Sequence, residues 1–409
     1  MEHQTATVGP VTESERIVSL DALRGFAILG ILVMNIQSFS MISAAYLNPT
    51  AYGNFEGLNR LVWTLSHVFA DQKFLSIFSM LFGAGIILMF ERCAAAGRSM
   101  GSLHYRRSFW LLVFGLAHGA LLWYGDILAT YAVCAMVVFL FRRVRPVPLT
   151  IVGVLAFLVP AALWNFFGWS MRFWPPEAIE QTMLAWAPPA EVVAEEIAAY
   201  TGGWLAQMPH RLMSLLFHDT FLLVFYMGFR ASGLMLVGMA LYKWGVIVGR
   251  RSRTFYATFA VGCLAAGLAL ILFGLSRNMW VEWMFEYSMF QGSVYNYVGS
   301  AFVALAYISI VMLATRGGGW LARLLAPVGR MAFTNYLMQT VICTFIFYGH
   351  GLGLFGRVER TGQILIVFAV WIFQLWFSRF WLARFRLGPA EWLWRSLSYG
   401  RRQPMRRVA

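Results

Sequence analysis

Apolar runs of about 18 residues or more recur from one end of the chain to the other, each long enough to cross a bilayer as a helix. No other feature restricts the fold as strongly. The chain has 409 residues, 60% of them hydrophobic and 12% charged, with a mean hydropathy of +0.65. A soluble domain carries about a quarter charged residues. The pattern specifies an all-α, polytopic membrane protein, a single transmembrane helical domain over 1–409 with no soluble domain left over. A polar tail over 1–18 precedes the first run, and a basic amphipathic tail over 388–409 closes the chain. The first run follows a polar segment and lacks a small-residue cleavage site, so it is expected as a retained span and not a signal peptide.

Hydropathy and loop charge together give about ten spans, near 20–42, 73–91, 108–124, 127–141, 149–170, 219–242, 254–275, 293–314, 328–348 and 362–383. Loops rich in Arg and Lys, such as "FRRVRP" and "KWGVIVGRRSR", alternate with loops that hold the acids, such as "WPPEAIE" and "AEVVAEEIAAY". The positive-inside rule then places the basic loops and both termini on the cytoplasmic side. The net charge of +14 is spread over these orientation signals, so no nucleic-acid partner is expected. The bilayer itself is the expected partner. The four cysteines, Cys93, Cys134, Cys263 and Cys343, have no disulfide or metal-ligand spacing, and no metal is expected.

An ionisable side chain within a span costs at least about 2.5–3.5 kcal/mol on insertion scales and normally faces protein or water. Residues 19–40, "SLDALRGFAILGILVMNIQSFS", place Asp21 and Arg24 one turn apart at the cytoplasmic mouth. Asn35 follows about 16 Å further along the helix. Capping by Asp21, snorkelling by Arg24 and an inter-helix amide bond from Asn35 would each explain one of them. A row across two depths also suits a functional path.

In "FGLAHGALLWYGDIL", His118 falls in the outer half of a span, and Asp126 sits in a loop too short to leave the membrane surface. A carboxylate at that position can orient an imidazole, the side chain whose pKa suits proton transfer near neutrality. A buried histidine held for purely structural reasons is the plain alternative. In "HVFADQKF", His67 and Asp71 are expected to be solvated, while Lys73 could supply positive charge to an outward cavity. Arg230, in "FYMGFRASGLM", must find a carboxylate, water or a substrate anion. In "GRMAFTNYLMQT", Arg330 marks the cytoplasmic end, and Asn335 and Gln339 share one helix face beside Thr340. Those carboxamides would meet either a partner helix or a ligand. "GPAEWLWRSLSYGRR" reads as an interfacial helix.

The segments "LDALRGFAILGILVMN", "AAYLNP", "KFLSIFSMLFGAG", "HGALLWYGDIL", "GRMAFTNYLMQT" and "GPAEWLWRSLSYG" resemble, nearly end to end, the YeiB-like bacterial inner-membrane family, a domain of unknown function (418). That family is distantly similar to the transmembrane acyltransferase superfamily, which includes membrane sugar O-acetyltransferases and the lysosomal heparan-glucosaminide acetyltransferase. Those enzymes carry an Arg near the start of the first helix and a His or Asn about eleven residues on, matched here by Arg24 and Asn35. In the sugar O-acetyltransferases the second position is a histidine. An amide cannot act as a base, so the resemblance assigns that role to His118, expected as the one histidine inside a span.

The resemblance implies an acyltransferase moving an acyl group from cytoplasmic acyl-CoA, as co-substrate, to an acceptor at the outer side of the inner membrane. His118, Asn35 and Asp126 would form the catalytic set. Asp21, Arg24, Lys73, Arg230, Arg330, Asn335 and Gln339 would contact substrate. The alternative is a small-solute transporter using the same polar column, although no internal repeat supports it. The acceptor, the acyl chain and any homo-oligomer are left open by the sequence.

Overall fold

The computed structural model describes residues 17–406. Residues 1–16 and 407–409, which include most of the expected N-terminal tail and the end of the basic tail, lie outside the described residues. The helices are α1 (Val18–Ser40), α2 (Gly57–Phe69), α3 (Lys73–Ala95), α4 (Gly101–Leu121), α5 (Leu128–Val138), α6 (Pro146–Ser170), α7 (Pro176–Trp186) and α8 (Ala190–Thr201). They continue as α9 (Met208–Phe217), α10 (Gly228–Lys243), α11 (Arg253–Trp280), α12 (Gln291–Ala314), α13 (Trp320–Arg330), α14 (Ala332–Phe347), α15 (Arg360–Arg384) and α16 (Pro389–Tyr399). A π-helical stretch, His218–Met227, joins α9 to α10.

Among the described residues no sheet forms, and a single bridge pairs Phe385 with Arg406. Seven helical stretches are long and apolar enough to cross a membrane, including Val18–Ser40 and Gly57–Ala95. Two shorter apolar helices, Leu128–Phe141 and Ala332–Phe347, accompany them. Helix overlaps each range read from hydropathy, but the range 328–348 is divided between the end of α13 and α14. The protein is an all-α polytopic membrane protein.

Lipid gives helices no hydrophobic reason to associate, so close backbone approach must supply the contact energy. Two crossings achieve this reciprocally. A Cβ on Gly83 of α3 would overlap the Met235 carbonyl of α10, and one on Gly238 of α10 would overlap the Met80 carbonyl of α3. Gly25 of α1 stands likewise against the Leu325 carbonyl of α13, and Gly329 of α13 against the Asp21 carbonyl of α1. Gly267 and Gly299 bring α11 and α12 together in the same way.

The last helix docks onto the bundle and does more than lie in the interface. Glu391 is buried and accepts from the Phe333 amide (2.7 Å), the Thr334 amide (3.1 Å) and the Thr334 hydroxyl (2.5 Å). It therefore caps the first turn of α14 from a different helix, satisfying donors that an α-helix leaves open. Burial pushes the Glu391 carboxyl above its usual range, opposed by the bonds from Thr334 and Phe333. Trp394 adds a hydrogen bond from Nε1 to the Arg107 carbonyl (2.9 Å), and its ring lies 4.2 Å from the Arg107 guanidinium.

Gly83 and Gly85 share one helix, yet a Cβ on Gly85 meets open space. Gly83→Ala should therefore destabilise the protein by about 1–3 kcal/mol through overpacking. Gly85→Ala should be neutral or slightly stabilising, because alanine is the better helix former. Thermal unfolding of both variants in detergent checks this, and equal effects would remove the α3–α10 crossing as a determinant.

Candidate functional site

Gly115 and Gly119 make α4 narrow where it meets its neighbours: a Cβ on Gly115 would collide with the Ala129 amide, and one on Gly119 with Leu215. His118 projects between them in sequence and is 4% exposed, while Asp126 is fully buried. His118 Nδ1 lies 2.8 Å from Asp126 Oδ1, and His118 Nε2 lies 3.0 Å from Thr340 Oγ1 on α14. Asp126 Oδ2 accepts from the Ala129 amide at 2.8 Å, capping α5. With Asp126 as a carboxylate and the imidazole neutral, the proton sits on Nδ1 and the Nε2 lone pair accepts from the Thr340 hydroxyl. Base, orienting carboxylate and hydroxyl thus form one chain at the separations expected of an activated nucleophile. The Tyr336 ring packs 5.2 Å from the imidazole, and the Tyr336 hydroxyl accepts from the Ile127 amide at 3.3 Å.

Asn35 is half-buried on α1, and its side chain makes no hydrogen bond to another described residue. It lies one turn before Phe39, whose ring packs 4.2 Å from Trp123 in the segment leading to Asp126. At the far end of α1, Arg24 Nη1 pairs with Asp21 Oδ1 at 2.8 Å. Arg330 ends α13 next to Gly329, which abuts Asp21, so Asp21, Arg24 and Arg330 share one corner. Arg24 and Arg107 are also close enough for their charges to interact. Asn335 donates to the Val328 carbonyl (3.1 Å) and Ser378 Oγ (3.0 Å). Gln339 donates to the Ile28 carbonyl and to Gln374 Oε1, both at 3.0 Å. Both carboxamides bond to neighbouring elements, chiefly α1 and α15.

A second polar cluster forms where α3 begins. Gln72 adopts a left-handed conformation (φ 64°), which turns the chain sharply and sends Lys73 inward. Lys73 is fully buried, and its ammonium donates to the His67 carbonyl and to Asn296 Oδ1, both at 2.6 Å. Asn296 Nδ2 donates in turn to Asp71 Oδ2 at 2.7 Å. Asp71 Oδ2 also lies 3.2 Å from His67 Nδ1, and Oδ1 accepts from Tyr46 at 3.3 Å. Arg230, 4% exposed, donates through Nη2 to the Gln72 carbonyl (3.1 Å), Ser76 Oγ (2.8 Å) and Ser300 Oγ (3.2 Å). The expectation of a solvated Asp71 fails, because the left-handed turn folds its carboxylate under α12.

His118 is also not alone within the helices. His104 on α4 is buried against the Ala135 carbonyl (3.0 Å), and His218 opens the π-helical stretch. Asn296, Gln374 and Ser378 escaped the sequence reading too. The signal was present, since each interrupts an apolar run.

These features define a class: a polytopic helical membrane protein with a buried aspartate–histidine–threonine chain and a separate buried cationic cluster. The chain belongs to the YeiB-like family, described as a protein family of unknown function (DUF418), whose pattern matches residues 241–401. It is 33% identical over 395 residues to the uncharacterized protein YeiB of Escherichia coli (strain K12), covering 94% of this chain and 96% of that one. It is 33% identical over 424 residues to the uncharacterized protein YxaH of Bacillus subtilis (strain 168), covering 98% of each. An uncharacterized 39.9 kDa protein encoded in an amylase 3′ region of Bacillus acidopullulyticus is 25% identical over 97% of both chains.

In the second cluster one carboxylate serves two buried cations. Asp71→Asn should therefore lower stability by about 3 kcal/mol or more, the usual cost of leaving buried charge uncompensated. Lys73→Met, which leaves Asp71 facing a single buried cation, should cost less. Thermal unfolding ranks the two, and the reverse order would show that Asp71 does not balance this charge.

Proposed function

We propose that the protein is a membrane-bound acyltransferase that takes an acyl group from cytoplasmic acyl-CoA and passes it to an acceptor at the outer face of a bacterial inner membrane. The observation that carries this reading is the buried Asp126–His118–Thr340 chain, with Nε2 facing a hydroxyl at 3.0 Å. Thr340 lies eight residues into α14, about 12 Å along a helix about 24 Å long. That is a midway position suited to a relay between two faces. Loop charge supports a cytoplasmic location for both termini and for the corner of Asp21, Arg24 and Arg330, where the anionic nucleotide of CoA would sit.

In the first step Thr340 Oγ1 attacks the thioester carbonyl and gives its proton to His118 Nε2. The carbon–sulfur bond breaks, and the leaving thiolate takes that proton to depart as CoA thiol. In the second step an acceptor hydroxyl or amine gives its proton to Nε2 and attacks the Thr340 ester. Thr340 then leaves and recovers the proton. Asp126 holds the Nδ1–H tautomer and stabilises the imidazolium in both steps. The carboxamide of Asn35, without a partner among the described residues, would donate to the oxyanion, a contact worth about 3 kcal/mol. A solute path along the same column finds less support, because Asn335 and Gln339 already spend their donors on other helices.

Proteoliposomes given labelled acetyl-CoA on the cytoplasmic side test the reading, with mass spectrometry of the Thr340 peptide. The wild type should accumulate acyl-Thr340 when acceptor is withheld. His118→Ala and Thr340→Val should abolish labelling, and Thr340→Ser should retain it. Asp126→Asn should slow it by about 10⁴ through the wrong tautomer. Labelling that survives Thr340→Val, or that never appears in the wild type, would sink the proposal.

A further inference from the structure

The Arg230 cavity makes a stronger demand than the rest of the second cluster. Arg230 lines a cavity of about 20 Å³ together with Ser79, Thr130, Tyr131 and His218. Its Nε is buried without a hydrogen-bond partner, and so is Oγ1 of Thr130, another residue of the lining. Both side chains are more than nine-tenths buried. The three acceptors of Nη2 are neutral, and among the described residues no carboxylate lies within ion-pair distance of Arg230. Asp219, the acid adjacent to His218, is turned to His218 Nδ1 at 3.0 Å. Asp71 is engaged by His67, Asn296 and Tyr46 while also feeling the charges of both Lys73 and Arg230. Arg230 is therefore held in the bundle by neutral acceptors alone, with no ion-pair partner among the described residues.

We propose that the Arg230 cavity is a binding site for the anionic oxygen of a carboxylate or phosphate group. The oxygen would accept from Arg230 Nε and Thr130 Oγ1, two donors otherwise left unmet, and the first bond would be charge-assisted. The volume suits one oxygen-sized atom, so the body of the ligand stays outside. The π-helical stretch His218–Met227 forms one wall, and its outer side chains Phe221, Val224 and Phe225 are exposed. Such stretches are uncommon and concentrate at functional sites. The ligand is therefore either a small soluble anion or the headgroup of an anionic lipid entering past that wall. This site stands whether or not Thr340 carries an acyl group.

The test is thermal unfolding of the full-length protein in neutral detergent, titrated with sodium acetate or sodium phosphate against sodium chloride at equal ionic strength. A parallel series uses nanodiscs of phosphatidylcholine with and without phosphatidylglycerol. A saturable rise in midpoint with acetate or phosphate, absent with chloride and lost in Arg230→Gln, assigns a soluble oxyanion. A rise only with phosphatidylglycerol, lost in the same variant, assigns a lipid headgroup. Thr130→Val and Ser79→Ala serve if Arg230→Gln does not fold, and Thr130→Val should weaken the effect in either series. Equal stabilisation by chloride, no stabilisation in either series, or an effect untouched by Thr130→Val and Arg230→Gln would overturn the site.

Discussion

Asp126 is held out of contact with solvent, and the arrangement of three helices follows from how its two oxygens are satisfied. One oxygen closes the first turn of α5 through the Ala129 amide, and the other fixes the His118 ring on α4. The imidazole then reaches Thr340 on α14. A buried carboxylate costs several kcal/mol unless its lone pairs are used, and here each oxygen has a strong donor. Gly115 makes this feasible, because any larger residue would push α4 away from Ala129 and Asp126.

The same accounting runs through the bundle at larger scale. Glycine crossings bring backbones close enough for side-chain amides to span between helices, and the amides then fix rotation about each helix axis. Gln339 shows the pattern: its amide bridges the Ile28 carbonyl on α1 and Gln374 on α15, while Gln374 returns a bond to the Asn335 carbonyl at 2.8 Å. Such a network restricts α14 to one orientation, the one that presents Thr340 to His118.

Much of the scaffold was legible because length and hydropathy report directly on lipid. The spacing of His118 and Asp126 was readable as well, since the pair sits eight residues apart across a tight loop. Thr340 was visible only as a neighbour of Gln339; its partner lies 222 positions away in sequence, and no local pattern encodes that meeting. Asp71 misled for a related reason. Its surroundings read as a solvated charge run, and only the left-handed Gln72 and the distant Asn296 draw it inward. The π-helical stretch was equally silent, because its composition is that of an ordinary apolar helix.

The cap that Glu391 places on α14 has a bearing on how the chain is made. Until the residues around 391 have left the ribosome, the first turn of α14 lacks its acceptor, although α1, α13 and α15, against which it also packs, are already synthesised. The segment bearing Thr340 is thus completed by a helix synthesised after both α14 and α15. Completion of the interior becomes contingent on translation through residue 391, and a polypeptide cut short before it would carry every member of the buried chain without the contact that closes its helix.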